Sequence, residues 1–406
     1  MNVDTMRNID HYAGVPLTFT GTLIRKVTDF FIEPPILKPK NVLLIELSEM
    51  GSAILVDPAM RKLKKNIEGE LYFVIFSKNK VSLQLLGTVK EENIFTIDES
   101  GITEIARTSF EFLKWCREKE IDSVIDLELF SRFTALLTAA SGAVNRVGFH
   151  SFHNEGLYRG DFLTHKVAYN PHQHITKNFI ALVDALLSEK KELPFTKRII
   201  PDAETKIAKA IISDEEKKAV ISTVSIMYEG FQKDKNHIVL VNSNASDLLP
   251  QRRWDRENYG DVIHKILSAN ENIIVLLTGA PSEKDGAQLL ANYVNSPRCI
   301  NFAGAVKFLQ LPALYSVSAF MLTNDSGPAH FASITDMHTF VIFGPETPAL
   351  YGSLGPTTPI FAGMNCSPCV SASNHRKTPC SDNQCIKIIT PDWVFNTLKF
   401  KLDALS

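Results

Sequence analysis

A chain of 406 residues, 45% hydrophobic and 22% charged, is long enough for two or three domains and has the composition of an ordinary soluble globular protein. Its 43 Lys and Arg against 45 Asp and Glu leave a net charge of -2, which excludes the broad basic field that nucleic-acid binders use. No apolar run reaches the roughly 18 residues of a spanning helix, and MNVDTMRNIDHYAG at the start lacks a signal-peptide core, so a cytoplasmic protein is expected.

In chain order, residues 17–32 place Leu17, Phe19, Leu23, Ile24, Val27, Phe30 and Phe31 at loosely helical spacing around Arg25 and Lys26. Two readings fit: an amphipathic helix resting on an anionic membrane surface, and a helix packed on the main body. Pro34, Pro35 and Pro39 then mark an extended linker, making 1–40 an N-terminal extension. At 42–47 an apolar strand runs into the loop Ser48-Glu49-Met50-Gly51-Ser52 and a helix over 53–65. The basic residues Arg61, Lys62, Lys64 and Lys65 either face a membrane or complement the negative end of that helix.

The alternation continues with strands at 71–76, 93–97 and 123–127 and helices near 81–86, 104–119 and 132–140. Repeated βα units of this kind predict a mostly parallel sheet covered on both faces, here a Rossmann-like domain over 41–190. Residues 150–174 carry His150, His153, His165, His172 and His174, at spacings that match no metal motif. The segment reads either as a polar surface loop or as a loop in which Arg159 and Tyr158 bind a phosphorylated or sugar acceptor. A helix over 175–187 and the polar, proline-marked 188–201 close the domain.

The second half, 200–390, repeats the pattern with strands at 237–241, 273–277 and 299–302 and helices at 256–267, 283–293 and 308–315. An apolar run, 319–322, then breaks into Thr323-Asn324-Asp325-Ser326-Gly327, with Pro328 at the first turn of a helix. The N-terminus of a helix starting there presents unpaired N–H groups to an anion such as a phosphate, with Asp325 and His330 beside it. A further run, 340–343, ends in Gly344-Pro345-Glu346-Thr347. Two α/β domains in tandem predict a ligand cleft between them, and a last helix, 391–406, is long enough to cross back onto the first domain.

Taken in order, 44–51 (LIELSEMG), Arg252-Arg253-Trp254, 278–283 (TGAPSE), 324–330 (NDSGPAH) and Phe343-Gly344-Pro345 resemble the motifs of glycosyltransferase family 9. These are the ADP-heptose:lipopolysaccharide heptosyltransferases and their relatives, and the resemblance runs from about Asn41 to the C-terminus. It implies a GT-B type α/β fold, two Rossmann-like doubly wound parallel-sheet domains facing a cleft, with the donor held mainly by the second and the acceptor by the first. It also implies inverting transfer of a sugar from a nucleotide donor to a hydroxyl of a lipid-linked saccharide, without a required metal, at the cytoplasmic face of the inner membrane. Arg252, standing where relatives carry lysine, would stabilise the leaving nucleotide, together with Ser326, Gly327 and His330. Glu283, behind Gly279, would bind ribose hydroxyls. Asp325 would bind sugar hydroxyls or stabilise positive charge at the anomeric carbon, and Gly51 and Arg159 would face the acceptor. Each of these side chains also has an ordinary structural use: surface pairing for Arg252 and Arg253, a first-turn carboxylate for Glu283, turn amides for Asp325.

Two features depart from that pattern or extend it. The family's first glycine loop usually ends in Gly-Asp, and that aspartate is its expected general base; here the position is Ser52. A serine hydroxyl does not accept a proton at neutral pH as a carboxylate does, which leaves Glu49 or Asp57 as substitutes and a non-catalytic nucleotide-sugar binder as the competing class. An epimerase on the same fold is a third reading. The second feature is Cys366, Cys369, Cys380 and Cys385, whose C-x2-C-x10-C-x4-C spacing resembles a structural zinc knuckle.

Overall fold

Runs of Val, Ile, Leu and Phe become strands wherever both of their faces can be covered, because branched and aromatic side chains pack well on a pleated surface. The computed structural model describes residues 3–31, 38–129, 131–152, 157–190, 192–245, 249–371 and 376–405, with side chains omitted at 3, 4 and 28–31. The expected linker at 34–37 and His153 lie outside the described residues. Two compact units result, Met1–Lys206 and Ile207–Ser371 with Arg376–Ser406.

The first unit holds strands β1 (Val42–Ile45), β2 (Leu71–Phe76), β3 (Ile94–Ile97), β4 (Ser123–Asp126), β5 (Asn145–His150) and β6 (His165–Ala168), ordered β3-β2-β1-β4-β5-β6. The second holds β7 (His237–Asn242), β8 (Ile273–Leu277), β9 (Cys299–Asn301), β10 (Phe320–Asn324), β11 (His338–Phe343) and β12 (Thr357–Phe361), ordered β12-β11-β10-β7-β8-β9. All neighbours are parallel. Numbered from its own first strand, each sheet has the same doubly wound order, with helices between strands as the right-handed crossover requires. Together with the structural relatives described below, this is a GT-B type fold.

Both strand orders reverse once, between β1 and β4 and between β7 and β10. Successive helices depart to opposite faces there, and the loops leaving the carboxyl ends of the two central strands part to form a crevice. Residues 46–52 and 127–129 follow the two central strands in the first unit, and 243–245 and 325–327 follow them in the second.

The cores follow from the same pattern. Leu43, Ile45, Val74, Phe112 and Val124 pack together in the first unit, and Val239, Val241, Phe320, Leu322, Phe340 and Ile342 in the second. The terminal helix Pro391–Asp403 buries Val394, Leu398 and Leu402 in the second core. Asp57 is fully buried and accepts hydrogen bonds from Arg61 Nε at 2.8 Å and Thr88 Oγ1 at 2.5 Å, so it is a structural carboxylate. At the N-terminus two helices, Val3–Tyr12 and Gly14–Phe31, precede the first strand. Asp10 accepts from the backbone N–H groups of Arg132 and Phe133 at 2.8 and 2.9 Å, capping the helix Arg132–Ala140 and fixing the extension to this unit.

Two strands, β6 and β12, are not apparent in the sequence. Both are edge strands, written His-Lys-Val-Ala and Thr-Thr-Pro-Ile-Phe, and an edge needs neither continuous apolar residues nor every N–H.

Gly344 follows β11, and a Cβ built there would sit 2.4 Å from Cγ1 of the buried Ile386. Gly344→Ala is therefore expected to destabilise the protein by about 1–3 kcal/mol through overpacking, read as a lower urea midpoint. An unchanged midpoint would show that Ile386 has room to move.

Candidate active site

At the switch point of the second sheet, Asn324 at the end of β10 is tied to the segment after β7. Its Nδ2 donates to Ser243 O at 2.9 Å and its Oδ1 accepts from Trp254 N at 3.1 Å. The next residue, Asp325, continues the backbone ladder by donating its N–H to Ile342 O at 2.9 Å. Its side chain is thereby aimed into a buried cluster of charges. Arg252 Nη1 lies 3.9 Å from Asp325 Oδ2 and 3.6 Å from Glu346 Oε2, and Arg376 Nε lies 3.2 Å from Glu346 Oε1. The Arg376 guanidinium also stacks 4.8 Å over the Tyr351 ring.

Asp325 and Glu346 are each 3% exposed. Burial raises the Asp325 carboxyl above its usual range, with Arg252 acting against it. Burial raises Glu346 further, and the neighbouring Asp325 adds to the rise. The pair titrates as a unit that holds on to a proton. It therefore offers both a carboxylic O–H donor and carboxylate acceptors. Among the described residues, Asp325 Oδ2 and Arg252 Nε are buried without a hydrogen-bond partner.

The helix after Asp325 is short, Gly327–Ala332, with Ser326 at its N-cap and Pro328 in its first turn. Six residues give a small macrodipole, so Arg252 supplies most of the positive potential near this loop. Ser326 Oγ donates to Asn324 O at 3.2 Å, and His330 is buried on the helix. Gly279 and Glu283 lie beyond β8: Glu283 Oε2 accepts from Ala280 N at 2.7 Å, and a Cβ at Gly279 would come within 3.0 Å of Asn244 Nδ2. One oxygen of Glu283 is thus spent on its own turn. Arg253 donates through Nε and Nη2 to Ala245 O at 3.0 and 2.7 Å.

In the first unit the glycine loop brings Ser52 and Glu49 together. Ser52 Oγ donates to Glu49 Oε2 at 3.4 Å, and Gly51 stands at the N-cap of the short helix Ser52–Leu55. Glu128, from the loop after β4, accepts from Leu47 N at 3.2 Å and Ser48 Oγ at 3.0 Å. Arg159 has a full set of internal partners: Nε donates to Ser131 O at 2.8 Å, Nη1 to Glu128 O at 2.6 Å, and Nη2 to Thr134 Oγ1 at 2.9 Å and to Asp126. Burial pushes the Asp126 carboxyl up to about 6, against the pull of Arg159.

The zinc reading of the cysteines finds no support. Among the described residues no group of three or more His, Cys, Asp or Glu side chains is arranged to hold a metal ion. Cys366 is exposed while Cys385 is buried. Burial, reinforced by the other three thiols, pushes Cys385 up to about 11.

Sequence reasoning gave no role to Glu346, Arg376 or Glu128. Glu346 and Glu128 stand one to three residues past an apolar strand, the position at which a doubly wound sheet delivers side chains to its crevice. That position was their only signal.

The sequence profile of glycosyltransferase family 9 (heptosyltransferase) matches residues 110–379, more than half of the chain. The chain belongs to that family. Within family 9, lipopolysaccharide heptosyltransferase 2 of Salmonella typhimurium is 24% identical over 127 residues, 30% of this chain and 36% of that protein. The Escherichia coli K12 protein of the same name is 27% identical over 101 residues, 24% and 29% of the two chains. The aligned stretches thus span about a third of the curated relatives' length. Among solved structures, E. coli ADP-heptose lps heptosyltransferase II has a TM-score of 0.66 at 17% identity, over 89% of this chain and 98% of that one. A family 9 glycosyltransferase from Veillonella parvula has 0.65 at 18%, over 91% and 99%. At these identities the likeness establishes the fold. The profile match begins after the loop at 48–52 and leaves that loop unassigned.

Two expectations follow. Arg159→Ala leaves Asp126 buried and uncompensated and should lower stability by about 3–5 kcal/mol, seen as a large fall in melting temperature. An unchanged melt with a raised acceptor KM would instead make Arg159 a substrate ligand. Glu346 binds its proton more tightly in the folded chain than in the unfolded one, so stability is lost as pH rises above its ordinary value near 4.5. Glu346→Gln removes that slope: relative to wild type it should melt higher at about pH 8 than at about pH 5. Parallel pH profiles would contradict the assignment.

Proposed function

We propose that the protein is an inverting, metal-independent glycosyltransferase that moves a sugar, most simply a heptose, from a nucleotide-activated donor to a hydroxyl of a lipopolysaccharide or other lipid-linked saccharide. Its place of action is the cytoplasmic face of the inner membrane, as a peripheral protein. The observation that carries this reading is the buried, unpartnered Arg252 Nε beside the Asp325–Glu346 carboxyl pair at the switch point of the second sheet. Leaving such groups unpaired costs about 1–3 kcal/mol each, more for charged groups, and a ligand that supplies hydroxyls and phosphate oxygens removes the penalty. Family membership supports the same conclusion, and so do the relatives, which are heptosyltransferases, one of them, WaaC of E. coli, solved with ADP.

In this reading the Asp325–Glu346 pair orients the sugar, its protonated member donating to one hydroxyl and its ionised member accepting from another. Arg252 meets the negative charge that develops on the departing diphosphate, with the N–H groups after Ser326 as a second, weaker source of positive potential. Glu49 takes the proton of the acceptor hydroxyl as the new C1–O bond forms and the bond from C1 to the diphosphate oxygen breaks, which inverts C1. Ser52 donates to Glu49 and holds its carboxylate in place. A second reading is favoured by Ser52 itself: without the usual aspartate, the chain would be a nucleotide-sugar binder with weakened catalysis.

The test is to incubate the protein with a panel of nucleotide sugars and lipid-linked acceptors and to score nucleotide release and donor affinity. Acceptor-dependent release supports transfer; tight donor binding without release with any pair supports the binder. In an active system Glu49→Gln should lower kcat by roughly 10²–10⁴-fold with donor affinity retained, and Asp325→Ala should abolish donor binding or transfer. Full activity in Glu49→Gln would remove it from the mechanism.

A further inference from the structure

The helix Gly14–Phe31 is packed inside out. Toward the body of the first unit it turns Gly14, Thr18, Gly21 and Thr22. Thr18 and Thr22 are buried, and each hydroxyl donates back along the helix at 2.7 Å, to Gly14 O and Thr18 O. A Cβ added at Gly14 would meet Arg132 at 2.9 Å, and one at Gly21 would meet Phe162 at 3.0 Å. Toward water the helix turns Leu17, Phe19, Leu23, Ile24 and Val27, each between 51% and 61% exposed. A helix that contributes to a core does the opposite. The small residues at the contact fix its roll, so the apolar stripe is held outward.

What covers that stripe is indicated by its borders. The charged residues of the helix are Arg25, Lys26 and Asp29; Arg25 is half-buried and Lys26 is exposed beside the stripe. Tyr12, 78% exposed, stands at the start of the helix. An apolar stripe bordered by Lys26 and by an amphipathic aromatic ring matches the boundary between acyl chains and anionic headgroups. No helix among the described residues is long and apolar enough to cross a membrane, so the fitting geometry is parallel to the surface. In the other basic run Arg61 pairs with Asp57, Lys62 pairs with Asp184 and Glu204, and Lys64 donates to Thr88 O.

We propose that the helix Gly14–Phe31 is the membrane-docking element of this protein, lying on an anionic bilayer with Leu17, Phe19, Leu23, Ile24 and Val27 among the acyl chains. Its purpose rests on the lipid-linked acceptor proposed above; its geometry rests on the helix alone. Docking brings a soluble-sized enzyme to an acceptor that is confined to two dimensions.

The experiment is co-sedimentation of the full-length protein with phosphatidylcholine vesicles, with and without phosphatidylglycerol, in the absence of any donor or acceptor. Binding is expected with phosphatidylglycerol and should weaken with added salt. The combined variant Leu23→Ser, Ile24→Ser and Val27→Ser should bind at least about tenfold less with an unchanged melting temperature. Lys26→Gln should reduce only the phosphatidylglycerol-dependent part. No sedimentation of the wild type, or equal binding by the combined variant, overturns the proposal. So does a concentration-dependent dimer that the combined variant abolishes while vesicles go unbound, which would assign the face to a second copy. Vesicle binding by a protein that releases no nucleotide leaves this proposal standing and sinks the transferase reading. Transfer to a detergent-solubilised acceptor by a protein that ignores vesicles does the reverse.

Discussion

A parallel sheet built outward from its middle must reverse its strand order once, and everything chemical in the second unit depends on where it does. Between β7 and β10 the backbone loops diverge, so side chains at the strand ends meet neither a covering helix nor a neighbouring loop of the same layer. Asn324, at the end of β10, is tied by two hydrogen bonds to the segment after β7. With the backbone fixed, Asp325, Glu346, Arg252 and Arg376 arrive from separate segments and share one buried space. Bringing ionisable groups out of water is expensive unless they are well paired. Here the contacts of Arg252, 3.6 and 3.9 Å, are too long to be hydrogen bonds.

The first unit uses the same position in the same fold differently. Arg159 also faces buried acids near a switch point, yet its guanidinium nitrogens are engaged by two backbone carbonyls, a threonine hydroxyl and Asp126. Such an arginine closes a loop. Arg252 has Nε unpartnered and stands at ion-pair distance, 3.9 and 3.6 Å, from Asp325 and Glu346. Saturation of hydrogen bonds, more than burial or charge, distinguishes the two arginines. By the same measure Asp57 is structural.

Much of the architecture was legible in the sequence because strands buried on both faces are written as continuous apolar runs, and 42–45, 71–76, 237–242 and 320–324 are such runs. The edge strands β6 and β12 escaped notice because an edge relaxes that demand. Asp325 was legible from the strand–turn–helix pattern around it. Its partners were not: Glu346, Arg252 and Arg376 come from segments separated by whole βα units, and nothing local announces which carboxylate an arginine will meet. The cysteines show a second limit, since a metal-like spacing says nothing of whether four thiols are arranged to hold an ion. In the N-terminal helix the apolar spacing was visible, but which face looks inward depended on Gly14 and Gly21 fitting against Arg132 and Phe162.

The central claim is that the buried carboxylates and Arg252 at the switch point of the second unit form the donor site. The most direct measurement is a crystal structure of the full-length protein with a nucleoside diphosphate sugar bound. The account predicts the sugar hydroxyls within hydrogen-bonding distance of Asp325 or Glu346 and a diphosphate oxygen against Arg252. A nucleotide sugar bound away from the loops after β7, β10 and β11, with this cluster unchanged, would contradict it.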